Sequence, residues 1–106
     1  MMRLDKRLLP GSKIMSQIFD VTDQTIRRWG ETEEHIFSNV EVMMKGRTKK
    51  WVYQPQHVYE GVVNLGYDLE NVQVVLKRIA ILSDLSTEFK AEAGKLLDAH
   101  IEHLCN

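Results

Sequence analysis

The stretch Thr22-Asp23-Gln24-Thr25-Ile26-Arg27-Arg28-Trp29 gathers one amide, two guanidinium groups and two hydroxyls in a short span. A glutamine amide offers a donor beside an acceptor, which matches the edge of adenine, and a guanidinium fork matches guanine or a phosphate. The hydroxyl of Thr25 suits a phosphate oxygen, a contact that positions a protein without reading sequence. Thr22, at the start of the same segment, joins Gln24, Thr25, Arg27 and Arg28 in the candidate set. A second group follows where Lys45, Arg47, Lys49 and Lys50 run with no acidic residue among them. Arg47, Lys49 and Lys50 are the candidate phosphate contacts there. The chemistry these two groups share is recognition of double-stranded DNA.

Such side chains need elements that aim them. Ser12 is placed to cap a helix with apolar positions at Ile14, Met15, Ile18 and Phe19, ending near Asp20. Thr22 caps a second helix that runs to Trp29 and is closed by Gly30. Val21, Ile26 and Trp29 fall on its buried side, against Ile14, Ile18 and Phe19, which leaves Gln24, Arg27 and Arg28 pointing outward. Two helices joined by so tight a turn form a helix-turn-helix, whose second helix enters the major groove. Glu31, Glu33 and Glu34 follow closely, and their charge requires them to point away from any phosphate backbone.

Downstream, Val40 to Met44 partly alternates and reads as a strand. Lys45-Gly46-Arg47-Thr48-Lys49-Lys50 reads as a hairpin turn and Trp51-Val52-Tyr53 as the returning strand, together a basic β-wing. At least one of Trp51 and Tyr53 is expected in the core, with Trp29, and Met15, Met43 and Met44 as core filler. Pro55 suits the first turn of a further helix, with Gly66 as its stop. From Val72 to Leu104 apolar residues recur in steps of three and four. That pattern predicts two helices broken near Ser83 to Ser86, or one long helix that pairs two copies. The chain therefore divides into an arm at 1–11, a DNA-binding domain at 12–67 and a helical segment at 68–106.

Whole-chain properties limit the alternatives. The chain has 106 residues and a net charge of -1, but residues 1–60 hold ten Lys/Arg against eight Asp/Glu and residues 61–106 four against seven, giving +2 and -3. A polyanion partner belongs to the first part. No run approaches the roughly 18 apolar residues of a membrane span, and the first residues lack the apolar stretch of a signal peptide. A cytoplasmic location, in a bacterial or infected host cell, is the expectation, and the single cysteine, Cys105, fits a reducing compartment. His100, His103 and Cys105 lack the fourth ligand of a structural zinc site, so neither metal nor cofactor is expected. His57 and Tyr59 have no nucleophile or paired carboxylate about them, and there is no glycine-rich ATP loop, so the chain is not read as an enzyme.

The run Ser16-Gln17-Ile18-Phe19-Asp20-Val21-Thr22-Asp23-Gln24-Thr25-Ile26-Arg27-Arg28-Trp29 resembles the helix-turn-helix of MerR-like and excisionase-like winged-helix proteins. Lys49-Lys50-Trp51-Val52-Tyr53 followed by Gln54-Pro55-Gln56-His57-Val58 is similar to the wing strand and next helix of the same family, so that residues 12–66 are covered. Asp20 stands where that family's turn usually has glycine, and the stretch from Trp29 to the wing is longer than in compact regulators. The long connection and the helical tail are similar to phage terminase small subunits with this type of domain. The resemblance implies a mainly α, winged helix-turn-helix fold with a small β-hairpin wing and a C-terminal helical dimerisation segment. It also implies a phage or mobile-element homodimer that recognises a DNA packaging site and recruits the terminase large subunit. A transcriptional repressor or excisionase would use the same domain, since fold does not fix role. A protein–protein adaptor that has lost DNA binding and works through its acidic part is a further alternative.

Overall fold

A computed structural model describes residues 3–31 and 35–106. Helix α1 (Ser12–Phe19) follows the break at Pro10-Gly11 and buries Met15, Ile18 and Phe19, spaced three and four residues apart so that they share one face. Its cap position is held by Gly11, and Ser12 is the first helical residue. The Ser12 hydroxyl instead lies 3.4 Å from that of Tyr53, so the cap expected of it is not made. Asp20 ends the helix in a left-handed conformation (φ 55°, ψ 50°), and Val21 N–H reaches back to the Ser16 carbonyl. Aspartate tolerates this region better than a β-branched side chain, which accounts for a turn without glycine. Helix α2 (Asp23–Trp29) then starts on Thr22, whose hydroxyl accepts the Thr25 N–H at 3.1 Å.

Strands β1 (Glu41–Lys45) and β2 (Thr48–Val52) pair antiparallel with Lys45 opposite Thr48. The connecting loop is Gly46-Arg47, with Gly46 at φ 64°, the position where a type II′ turn requires glycine. Lys49 and Lys50 are therefore strand residues rather than turn residues, and Tyr53 lies beyond the strand. A bridge between Gly11 and Val52, extended by Tyr53 N–H donating to the Pro10 carbonyl, lays the chain before α1 along the other side of β2. The segment from Leu4 to Gly11 is thus anchored. Gln54 both accepts the Leu4 N–H and donates to the Leu4 carbonyl, and Leu9 is buried.

Helix α3 (Pro55–Asn64) begins with proline at its first turn and ends in a Schellman arrangement. There Gly66 adopts φ 69° and the Tyr67 and Gly66 N–H groups donate to the Val62 and Val63 carbonyls. Helix α4 (Leu69–Ile81) is capped by Asp68, and α5 (Thr87–Cys105) by Ser86. The break falls at residues 82–86, as the serines there predict. Helix α5 packs on both α3 and α4, and α4 also packs on α1. Val72, Val75, Ile79, Phe89, Ala93 and Leu97 belong to the same buried cluster as Met15, Ile18, Val58 and Val62. The apolar seam read as a surface for pairing two copies is consequently covered within one chain, and one core runs across the boundary drawn at 67/68. Among the described residues the architecture is mainly helical with one two-stranded antiparallel sheet.

Aromatic rings fasten the α1–α2 pair to the end of the β-hairpin. Trp29 meets Phe19 edge-on at 5.6 Å, Phe37 touches both, and Phe37 in turn meets Tyr53 at 5.6 Å. Edge-to-face geometry of this kind adds to the burial of each ring. Met44 lies outside this core at 58% exposure, unlike Met15 and against the expectation of core filler. Its side chain sits on the wing beside Lys49, its cross-strand partner.

Candidate nucleic-acid interface

Helix α2 carries the candidate base-reading residues on two faces rather than one. Gln24 and Arg28, four residues apart, are exposed one above the other, and half-buried Thr25 lies alongside. Arg27 shares the adjoining face with Asp23, to which it donates at a long 3.5 Å. That face turns toward the wing. Arg27 lines a cleft with Lys50 and a smaller one, about 170 Å³, with Trp51 and Tyr53. Arg27 is exposed, as expected, with its side chain at 51%, and it also borders both clefts, whereas Gln24 and Arg28 lie on the face away from Asp23.

The two threonines are coupled. Thr22 Oγ1 accepts the Thr25 N–H and lies 2.8 Å from Thr25 Oγ1, so both hydroxyls serve the start of the helix. Thr25 still has the second lone pair that a hydroxyl keeps for another contact.

On the β-hairpin, Arg47, Lys49 and Lys50 are all exposed. Strand alternation sends them to different sides. Lys49 shares a face with Trp51, and Lys50 shares the opposite face with buried Val52. Lys50 lies across the start of α1: a Cβ added to Gly11 would stand 2.8 Å from Lys50 Cε. Trp51 is 43% exposed and Tyr53 1%, so one of the two aromatics is in the core, as expected. Burial raises the Tyr53 hydroxyl above its ordinary range, with the Ser12 hydrogen bond and the nearby Arg27 charge opposing the shift.

Glu31 is exposed, while Glu33 and Glu34 lie outside the described residues. Past them, Phe37 N–H donates to the Trp29 carbonyl, and Ser38 is held by Glu60 through both its N–H and its hydroxyl at 2.7 Å. These bonds fix Phe37 and Ser38 ahead of β1. Among the described residues no cluster of three His, Cys, Asp or Glu is arranged to hold a metal ion. His100 stacks on His103 and meets Tyr59 edge-on. No helix is long and apolar enough to cross a membrane among the described residues.

Two participants were not legible in the sequence. Lys13, on the first turn of α1, and Asp84, between α4 and α5, line the same cleft as Arg27 and Lys50. Lys13 could have been noticed as the one cation on the first helix; nothing local marks Asp84. Comparison with protein-family models, curated proteins and solved structures finds no match to this chain.

Proposed function

We propose that this chain binds double-stranded DNA sequence-specifically, with α2 in the major groove and the β-hairpin wing along the phosphate backbone. The observation that carries this reading is the outward pair Gln24 and Arg28 on a short helix, flanked by a hairpin whose turn and return strand expose Arg47, Lys49 and Lys50. An amide and a guanidinium one turn apart address neighbouring base edges, and the lysines supply sequence-independent attraction. Thr25 and Arg27 take positioning roles next to the backbone, and Thr22 orders the start of the helix.

For biological role we infer marking of a packaging site on phage or mobile-element DNA and recruitment of a terminase large subunit. The support is the order of parts: helix-turn-helix, wing, helix and helical tail. A homodimer would set two α2 helices one helical turn of DNA apart. Since the α5 seam is internal, such pairing draws on other surface, where Ile81 (79% exposed) and Leu104 are apolar and uncovered.

The test is selection of bound duplexes from a random library by the purified protein, repeated with Gln24→Ala and Arg28→Ala. The expected result is a motif that loses definition in each variant, while Lys49→Ala weakens binding to all sequences alike. No enrichment by the unaltered protein would refute the reading.

A further inference from the structure

A cleft of about 490 Å³ lies where α1, α2, β2 and the α4–α5 turn converge. Three cations from three elements border it: Lys13 from α1, Arg27 from α2 and Lys50 from β2. Two carboxylates, Asp23 and Asp84, border it as well. Among the described residues the only ion pair involving any of the five is the long one between Arg27 and Asp23, so Lys13, Lys50 and Asp84 have none. Gathered cations without partners repel one another, and the cleft is left with one net positive charge. The Lys50 side chain is laid over Gly11, where a Cβ would come within 3.6 Å of its Nζ, so the ammonium is directed to the α1 side of the cleft.

We propose that this cleft takes one backbone phosphodiester of a DNA strand, held by Lys13, Arg27 and Lys50, with Asp84 opposing it. A phosphodiester carries one negative charge, the complement of what the five side chains leave. It presents two unesterified oxygens, and ammonium and guanidinium groups converging from separate elements can meet both. The position, between the helix that reads bases and the wing, sets the strand's register on the protein. Asp84 brings the C-terminal helical pair to the same cleft. Its carboxylate lowers the local attraction, so the turn between α4 and α5 tunes affinity without touching a base. This inference rests on the DNA-binding reading and adds Lys13 and Asp84 to it.

The experiment uses the full chain and a duplex recovered by the selection above, with affinity measured across a salt series. Lys13→Ala and Lys50→Ala should each lower affinity on specific and random duplexes alike and reduce the salt slope by about one. Asp84→Asn should raise affinity on both. A set of duplexes in which single phosphates are replaced by neutral methylphosphonates should contain one position that weakens the unaltered protein but not Lys13→Ala. Lys13 and Asp84 are exposed, and retained circular dichroism and Tm in these variants exclude misfolding as the cause. Unchanged affinity and slope in Lys13→Ala, or no methylphosphonate position whose effect Lys13→Ala abolishes, would overturn the cleft while leaving specific DNA binding in place. Failure of the unaltered protein to bind any duplex would overturn both.

Discussion

His57 Nδ1 accepts the Gln54 N–H at 2.8 Å, while its Nε2 lies 2.6 Å from the Ser38 carbonyl. Only the neutral imidazole with hydrogen on Nε2 satisfies both, because a nitrogen that accepts an N–H cannot carry a proton itself. One ring thus closes the start of α3 and holds Ser38, ahead of β1.

Burial lowers the His57 pKa below the ordinary 6.5, and the Ser38 bond, Glu60 and Glu41 only partly offset it. Since the unfolded chain takes up the proton more readily, the neutral ring's contribution is full above about pH 6.5 and falls as pH drops through the lowered folded value. Urea midpoints taken between pH 8 and pH 5 should decline below about pH 6.5. His57→Gln should be less stable at pH 8 and show a shallower decline. An identical pH profile in the variant would remove His57 from this role.

The turn between α1 and α2 depends on residue 20 holding φ 55°. Asp20→Gly should leave stability equal or better, whereas Asp20→Val should cost about 1–2 kcal/mol, the penalty for a β-branched residue in the left-handed region. Chemical denaturation of the two variants measures the difference. Equal midpoints would mean that the turn relaxes to another conformation.

Gly61 allows α3 to approach the aromatic cluster. A Cβ there would stand 2.5 Å from Phe19 Cζ and 3.2 Å from a Phe37 ring carbon, both on buried rings. Gly61→Ala should therefore destabilise by about 1–3 kcal/mol, although alanine is ordinarily the better helix former by about 1 kcal/mol. A rise in Tm would show that the rings yield.

Arg78 of α4 donates to the Ile18 carbonyl at 3.1 Å, at the end of α1. A cation there satisfies a terminal carbonyl and suits the negative end of the helix. Arg78→Met keeps much of the stem and removes the charge, and should cost about 1 kcal/mol in a partly exposed site. Because the bond lies next to the Asp20 turn, hydrogen exchange should quicken at Asp20 and Val21 before it does in α5. Uniform acceleration would point to a global effect.

Phe89, Ala93 and Leu97 are buried against the rest of the chain. Removal of residues 84–106 should uncover Val58 and Val62 and abolish cooperative unfolding, as seen by calorimetry. A truncated chain that still melts in one sharp transition would mean that the first part has a core of its own.

Periodicity and caps are local, and they were legible in the residues: the helix pair around Asp20-Val21-Thr22, Pro55 and Gly66 bounding α3, the break between Ile81 and Thr87, and the basic hairpin around Gly46. Each rests on backbone preferences acting within a few positions. Facing directions were not legible where neighbours distant in sequence decide them. Arg27 has the same local credentials as Arg28, and only folding shows that, while exposed, it borders a cleft together with Lys50. Ser12 has the chemistry of a cap, but Tyr53, far along the chain, takes its hydroxyl. The apolar series from Phe89 to Leu97 specifies a buried face without naming its partner, and only folding shows that α3 and α4 supply it. Lys13 and Asp84 are unremarkable surface charges in the sequence, and Lys50 stands there only as part of a basic run. Tertiary structure brings them to one cleft, because electrostatic neighbours are set by distance in space, and the core that joins α1, α4 and α5 sets that distance.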